Sequence, residues 1–73
     1  MVTEPQDAGP ATLTEDELAI LALLAEGRLT ASVAAELHLS ERSVRRRVRV
    51  ICERLDVATS IEAVVWAARR GLV

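Results

Sequence analysis

Residues 30–55 read TASVAAELHLSERSVRRRVRVICERL, and this stretch decides the fold. Thr30 is the expected N-cap of a short helix that starts at Thr30 or Ala31 and runs to Leu37, with Val33, Ala34 and Leu37 facing inward. Three residues follow, His38-Leu39-Ser40, and Ser40 is placed to cap a longer helix reaching about Leu55. On that helix Val44, Val48, Ile51 and Leu55 recur at spacings of four, three and four, so they share one face. The helical repeat then turns Arg42, Arg45, Arg46, Arg49 and Glu53 to the opposite side, with Arg47 and Arg54 at the flank. A short helix, a tight turn and a longer helix make a helix-turn-helix.

Upstream, Thr14-Glu15-Asp16-Glu17 has the form of a capping box, and Leu13 and Leu18 sit at the hydrophobic-staple positions. The helix that follows is expected to bury a stripe of Leu18, Leu21 and Ala25 with Leu24 beside it. Ile20 and Leu23 lie off that stripe and imply some cover on a second face. Gly27 is a natural stop. Downstream, Thr59-Ser60-Ile61-Glu62 repeats the capping-box pattern and opens a last helix ending at Gly71. Ala63 and Ala67, small and four apart, suit close packing against the other three helices. No stretch alternates with a period of two, and no hairpin dipeptide is present. The fold class is all-α: a compact four-helix domain over residues 13–73, preceded by a flexible N-terminal arm or linker remnant over residues 1–12 (MVTEPQDAGPAT). If Met1 is the natural start, the chain is a stand-alone protein; if not, the arm is the end of a linker from another domain.

A chain of 73 residues has room for one small domain and buries only about 60% of its unfolded surface, so a partner is expected. Hydrophobic residues make up 51% of it, too many for disorder, yet no apolar run approaches the roughly 20 residues of a membrane span. No secretory leader is evident, and the single cysteine, Cys52, precludes an internal disulfide. With one histidine, His38, a structural zinc site would need carboxylate ligands, so no metal and no cofactor is expected. Catalysis is not expected at this size. A soluble, cytoplasmic binding module is the starting class.

The net charge of −2 hides a sharp division. Residues 1–39 carry seven acids against Arg28 alone, whereas residues 40–54 carry six arginines against Glu41 and Glu53. Local charge, not the average, decides which surface attracts phosphate. An arginine-covered helix suits a major groove about 12 Å wide, because the guanidinium fork matches guanine O6 and N7. Arg42, Arg45, Arg46 and Arg49 are the candidate base and phosphate contacts, with Arg47 and Arg54 flanking them. Ser43 has the position for a phosphate or base edge, or only for bonding within the first turn. Thr30 and Ser32 are candidates for donating to phosphate together with the amides at the front of their helix. No exposed aromatic platform suits single strands, since Trp66 is the only aromatic and reads as packing or interface. Cys52 reads as inert and His38 as a turn residue.

Ordered landmarks across Leu13–Val73 resemble the LuxR-type, or GerE-like, DNA-binding domain. Leu13-Thr14 followed by acids resembles the family's opening, Leu24-Ala25-Glu26-Gly27 the end of its first helix, and Val33-Ala34 with Leu37 its scaffold helix. Leu39-Ser40-Glu41 with Ser43-Val44-Arg45 resembles the start of its recognition helix, here about residues 41–55, and Leu55, Ala63 and Arg69-Arg70-Gly71-Leu72 complete the pattern. The chain departs from it at four places. His38 stands where the family turns through glycine, Arg47 where it often has histidine, and Ser60 where it often has arginine. Leu29-Thr30 replaces a polar pair. The resemblance implies a bacterial transcription regulator that binds double-stranded DNA, with RNA polymerase as a further possible partner. Two other readings stay open: a promoter-recognition module like region 4 of a sigma factor, and a helix-turn-helix that binds protein rather than DNA.

The last helix is apolar almost all round, and a helix without a polar face needs cover on every side. Ile61, Val65 and Ala68, with Val64 or Trp66 at the margin, form a patch suited to a second copy of the chain. A two-fold pair would meet inverted half-sites about one helical turn apart.

Overall fold

The computed structural model describes residues 13–73, and the expected arm over residues 1–12 lies outside them. Four helices follow one another: α1 (Glu15–Ala25), α2 (Thr30–Leu37), α3 (Glu41–Leu55) and α4 (Ser60–Arg69). No strand occurs among the described residues.

Local chemistry sets the helix starts. Thr14 and Thr59 each close a reciprocal capping box, with Glu17 and Glu62 returning to the cap backbone, and the Ser40 hydroxyl accepts the N–H of Ser43. α2 differs from the expectation. Its N-cap is Leu29, which has no side-chain oxygen to offer, and Thr30 is already the first helical residue. The chain leaves Gly27 for α2 one residue earlier than a threonine cap requires, so the first-turn amides of α2 receive no side-chain acceptor.

The helix ends share one device. The N–H groups of Arg28, Leu39, Val57 and Leu72 each reach back five residues to a carbonyl, over a left-handed residue. Gly27 and Gly71 take that conformation without a steric cost, whereas His38 (φ 58°) and Asp56 (φ 58°) take it with a side chain present.

Two buried clusters make the core. Leu21, Ile51, Cys52, Ala63 and Ala67 form one, beneath α4; Ile20, Val33, Ala34 and Val44 form the other, beneath α2. Leu24 and Val48 pack against both and join them. α3 therefore runs under the whole domain and touches every other helix, while α4 packs on α1 and α3 but not on α2. Ala63 and Ala67 are fully buried, so the expected close approach occurs, against two helices rather than three.

α1 corrects the expected stripe. Ala25 is exposed and Leu18 only half-buried, whereas Glu17, Ile20 and Leu21 are buried. The buried arc is rotated toward Ile20 because α1 must serve α2 on one side and α4 on the other. Its centre is a carboxylate. Glu17 is 9% exposed, and its Oε1 accepts both the Thr14 N–H at 2.9 Å and the Arg54 Nη1 at 2.6 Å. A charge at mid-arc is invisible to a rule that seeks apolar residues.

Candidate nucleic-acid interface

Burying Val44, Val48 and Ile51 fixes the roll of α3 about its axis, and that roll turns the arginines outward. Arg42, Arg45, Arg46, Arg47 and Arg49 are all exposed. Arg42, Arg45, Arg46 and Arg49 together edge one shallow hollow on the water-facing side of the helix. Like charges this close repel one another unless an anion lies among them.

The remaining candidates distribute around this hollow unevenly. Arg47 turns toward α1, where it shares one recess with Asp16, Ile20, Leu37 and Leu39 and another with Thr14, Asp16 and Glu17. Arg45 also borders a recess with Thr30, at the start of α2, and Ser60, at the start of α4. The structure thus brings Thr30 beside the arginine face, while Ser32 is exposed in the same first turn. Ser43 is half-buried and bonded locally: its N–H donates to the Ser40 hydroxyl, and its oxygen accepts from that hydroxyl, each at 3.0 Å.

Arg54 belongs elsewhere. Its guanidinium reaches away from the arginine hollow to Glu17 on α1, a pairing across 37 positions of sequence. Its place at the flank of α3 was readable; its commitment to α1 was not. A carboxylate is paired with an arginine of this face. Glu41, in the first turn of α3, accepts from Arg45 Nη2 at 2.9 Å, with the two side chains 48% and 63% exposed. The i,i+4 spacing of Glu41 and Arg45 was the signal for it.

Other basic groups are engaged away from this face. Arg28 pairs with Glu26 and Glu36, holding the turn between α1 and α2. Arg70 lies 3.9 Å over the Trp66 ring and donates to the Trp66 carbonyl. Cys52 is buried, and burial, with the nearby Glu62 carboxylate adding to it, pushes its thiol pKa up. That is the direction that makes a cysteine inert.

On α4, Ile61 (71% exposed), Val65 (43%) and Ala68 face water, whereas Val64 and Trp66 are half-buried against the core beneath α4. Among the described residues no group of histidine, cysteine and carboxylate side chains is arranged to hold a metal, and no helix is long and apolar enough to cross a membrane.

Comparison with known proteins gives a consistent result. Residues 11–67 match the family described as bacterial regulatory proteins, luxR family. The chain is 37% identical over 62 residues to the transcriptional regulatory protein LiaR of Bacillus subtilis, covering 85% of this chain and 29% of LiaR. It is 36% identical over 59 residues to the transcriptional regulatory protein DesR of the same organism, covering 81% of this chain and 30% of DesR. It is 33% identical over 61 residues to the response regulator protein VraR of Staphylococcus aureus, covering 84% of this chain and 29% of VraR. The chain thus spans less than a third of the length of these relatives. No solved structure matches it.

Proposed function

The chain belongs to the LuxR family of bacterial regulatory proteins, and from that premise we propose that it binds double-stranded DNA with α3 seated in the major groove. The observation that carries this reading is the hollow edged by Arg42, Arg45, Arg46 and Arg49 on the exposed side of the second helix of the helix-turn-helix. Arginines near the N-terminal half of such a helix meet base edges and the phosphates beside them. Arg47 at the flank, the hydroxyls of Ser43, Thr30 and Ser32, and the uncapped amides of α2 position the domain on the phosphate backbone. Uncapped helix amides are an anion site in waiting, and among the described residues α2 is the one helix whose N-cap makes no side-chain bond. Arg54, tied to Glu17, is assigned to the fold and not to DNA. A regulator of this kind acts in the bacterial cytoplasm, where the DNA is.

A mobility shift with random-sequence duplex at low salt tests the reading. The parent protein should bind, and replacing Arg42, Arg45, Arg46 and Arg49 together by alanine should abolish the shift while the helical content stays. A parent that binds no duplex, yet captures an acidic protein, would put a protein-interaction module in its place.

The same domain pairs with a second copy through α4. Ile61, Val65 and Ala68 supply the exposed apolar face, with Val64 at its inner edge. Large apolar side chains left in water on a domain this small are the support for this contact. A two-fold pair on DNA needs inverted half-sites about one helical turn apart. Val65→Glu should weaken binding to a duplex with two half-sites and leave binding to a single half-site unchanged. Equal binding of parent and variant to the two-half-site duplex, with a monomeric parent at high concentration, would overturn the pairing.

A further inference from the structure

Glu41 is an odd residue to find on a surface meant for phosphate. It is exposed, it occupies the first turn of α3, and its charge opposes the ligand that the neighbouring arginines attract. Its Oε1 takes one edge of the Arg45 guanidinium at 2.9 Å. Arg45 itself stands between two recesses: the arginine hollow, and the pocket shared with Thr30 at the front of α2 and Ser60 at the front of α4.

We propose that Glu41 is a specificity-determining residue that positions Arg45 for base recognition; this rests on the DNA-binding role proposed above. A free arginine side chain samples many rotamers, and its fork reads a base only when its plane is set. The carboxylate one turn earlier holds Nη2 and leaves the other guanidinium donors open, so the fork is oriented before DNA arrives. An exposed pair of this kind biases the rotamers without fixing them, so a part of the ordering entropy is lost before binding. The negative charge adds a second effect. It weakens attraction to any phosphate backbone, whatever the sequence, and so widens the gap between the preferred site and random DNA. A carboxylate serving only the helix dipole would repel phosphate as well, but it would not set the base preference of Arg45.

The experiment compares the parent with Glu41→Ala, Arg45→Ala and the double variant. Each is measured for affinity to random duplex and for base preference by selection from a random-duplex library. Glu41→Ala should tighten random-duplex binding by a factor on the order of three, the effect of removing one nearby repulsive charge in water. It should also relax preference at the same base pair that Arg45→Ala relaxes. The double variant should show no more relaxation than Arg45→Ala alone. If Glu41→Ala keeps the parent's base preference, or if the two losses add, the inference is overturned while the DNA-binding role stands. If the parent binds no duplex at all, both fall together.

Discussion

α3 carries an arginine–glutamate pair near each end, and the two pairs are chemically alike but physically opposite. Near its C-terminus Arg54 meets Glu17 at 2.6 Å, with side chains 32% and 11% exposed, and joins α3 to the first turn of α1. Near its N-terminus Arg45 meets Glu41 at 2.9 Å within one turn of the same helix, in open water. Breaking a buried pair leaves a charge without solvent, which costs several kcal/mol; breaking an exposed pair lets water take over, at almost no cost. One end of the helix thus spends its charge on the fold, and the other keeps it available for a ligand.

The largest expected effect falls on the buried pair. Arg54→Ala takes the guanidinium from a carboxylate whose side chain is only 11% exposed and leaves it the Thr14 N–H, which should lower folding stability by about 3 kcal/mol. For a domain this size that is a drop in melting temperature of more than about 10 °C, read by circular dichroism. Arg45→Ala should do the reverse. Stability should change by less than about 0.5 kcal/mol, while DNA affinity falls by about 1–3 kcal/mol in an anisotropy titration. Equal losses of stability at Arg45 and Arg54 would erase the distinction between the two ends. Arg69→Ala, a basic residue of α4 outside both pairs, should shift DNA affinity by less than about 0.5 kcal/mol. A loss as large as that of Arg45→Ala would show that total charge and not the α3 face governs binding. His38→Gly removes a left-handed side chain between α2 and α3. It should stabilise the domain by no more than about 1 kcal/mol, and thermal unfolding checks the sign.

Those two pairs also mark what the sequence makes legible. Thr14, Ser40 and Thr59 announce their helices because a cap is a contact between residues three apart, and Gly27 and Gly71 announce the stops for the same local reason. The arginine face follows from helical periodicity once Val44, Val48 and Ile51 are known to be inside. The resemblance of the ordered landmarks to the LuxR type rests on the same local features, and the family match over residues 11–67 agrees with it. What escapes is non-local. Leu29 replaces Thr30 as the cap of α2 because of how the chain leaves the preceding turn, not because of its side chain. Ala25 lies exposed, and Ile20 buried, because α1 is wedged between α2 and α4. Glu17 reads as an ordinary capping acid until Arg54, far along the chain, is folded onto it.

Whether the outer face of α3 holds DNA is decided by the salt dependence of duplex binding, measured for the parent and for each of Arg42→Ala, Arg45→Ala, Arg46→Ala and Arg49→Ala. A face that meets phosphates releases counterions, so the logarithm of affinity should fall linearly and steeply with the logarithm of salt concentration. Each substitution that removes a phosphate contact should make that slope shallower by about one. A flat response in the parent, or one slope shared by all five proteins, would mean that this face does not meet the phosphates of DNA.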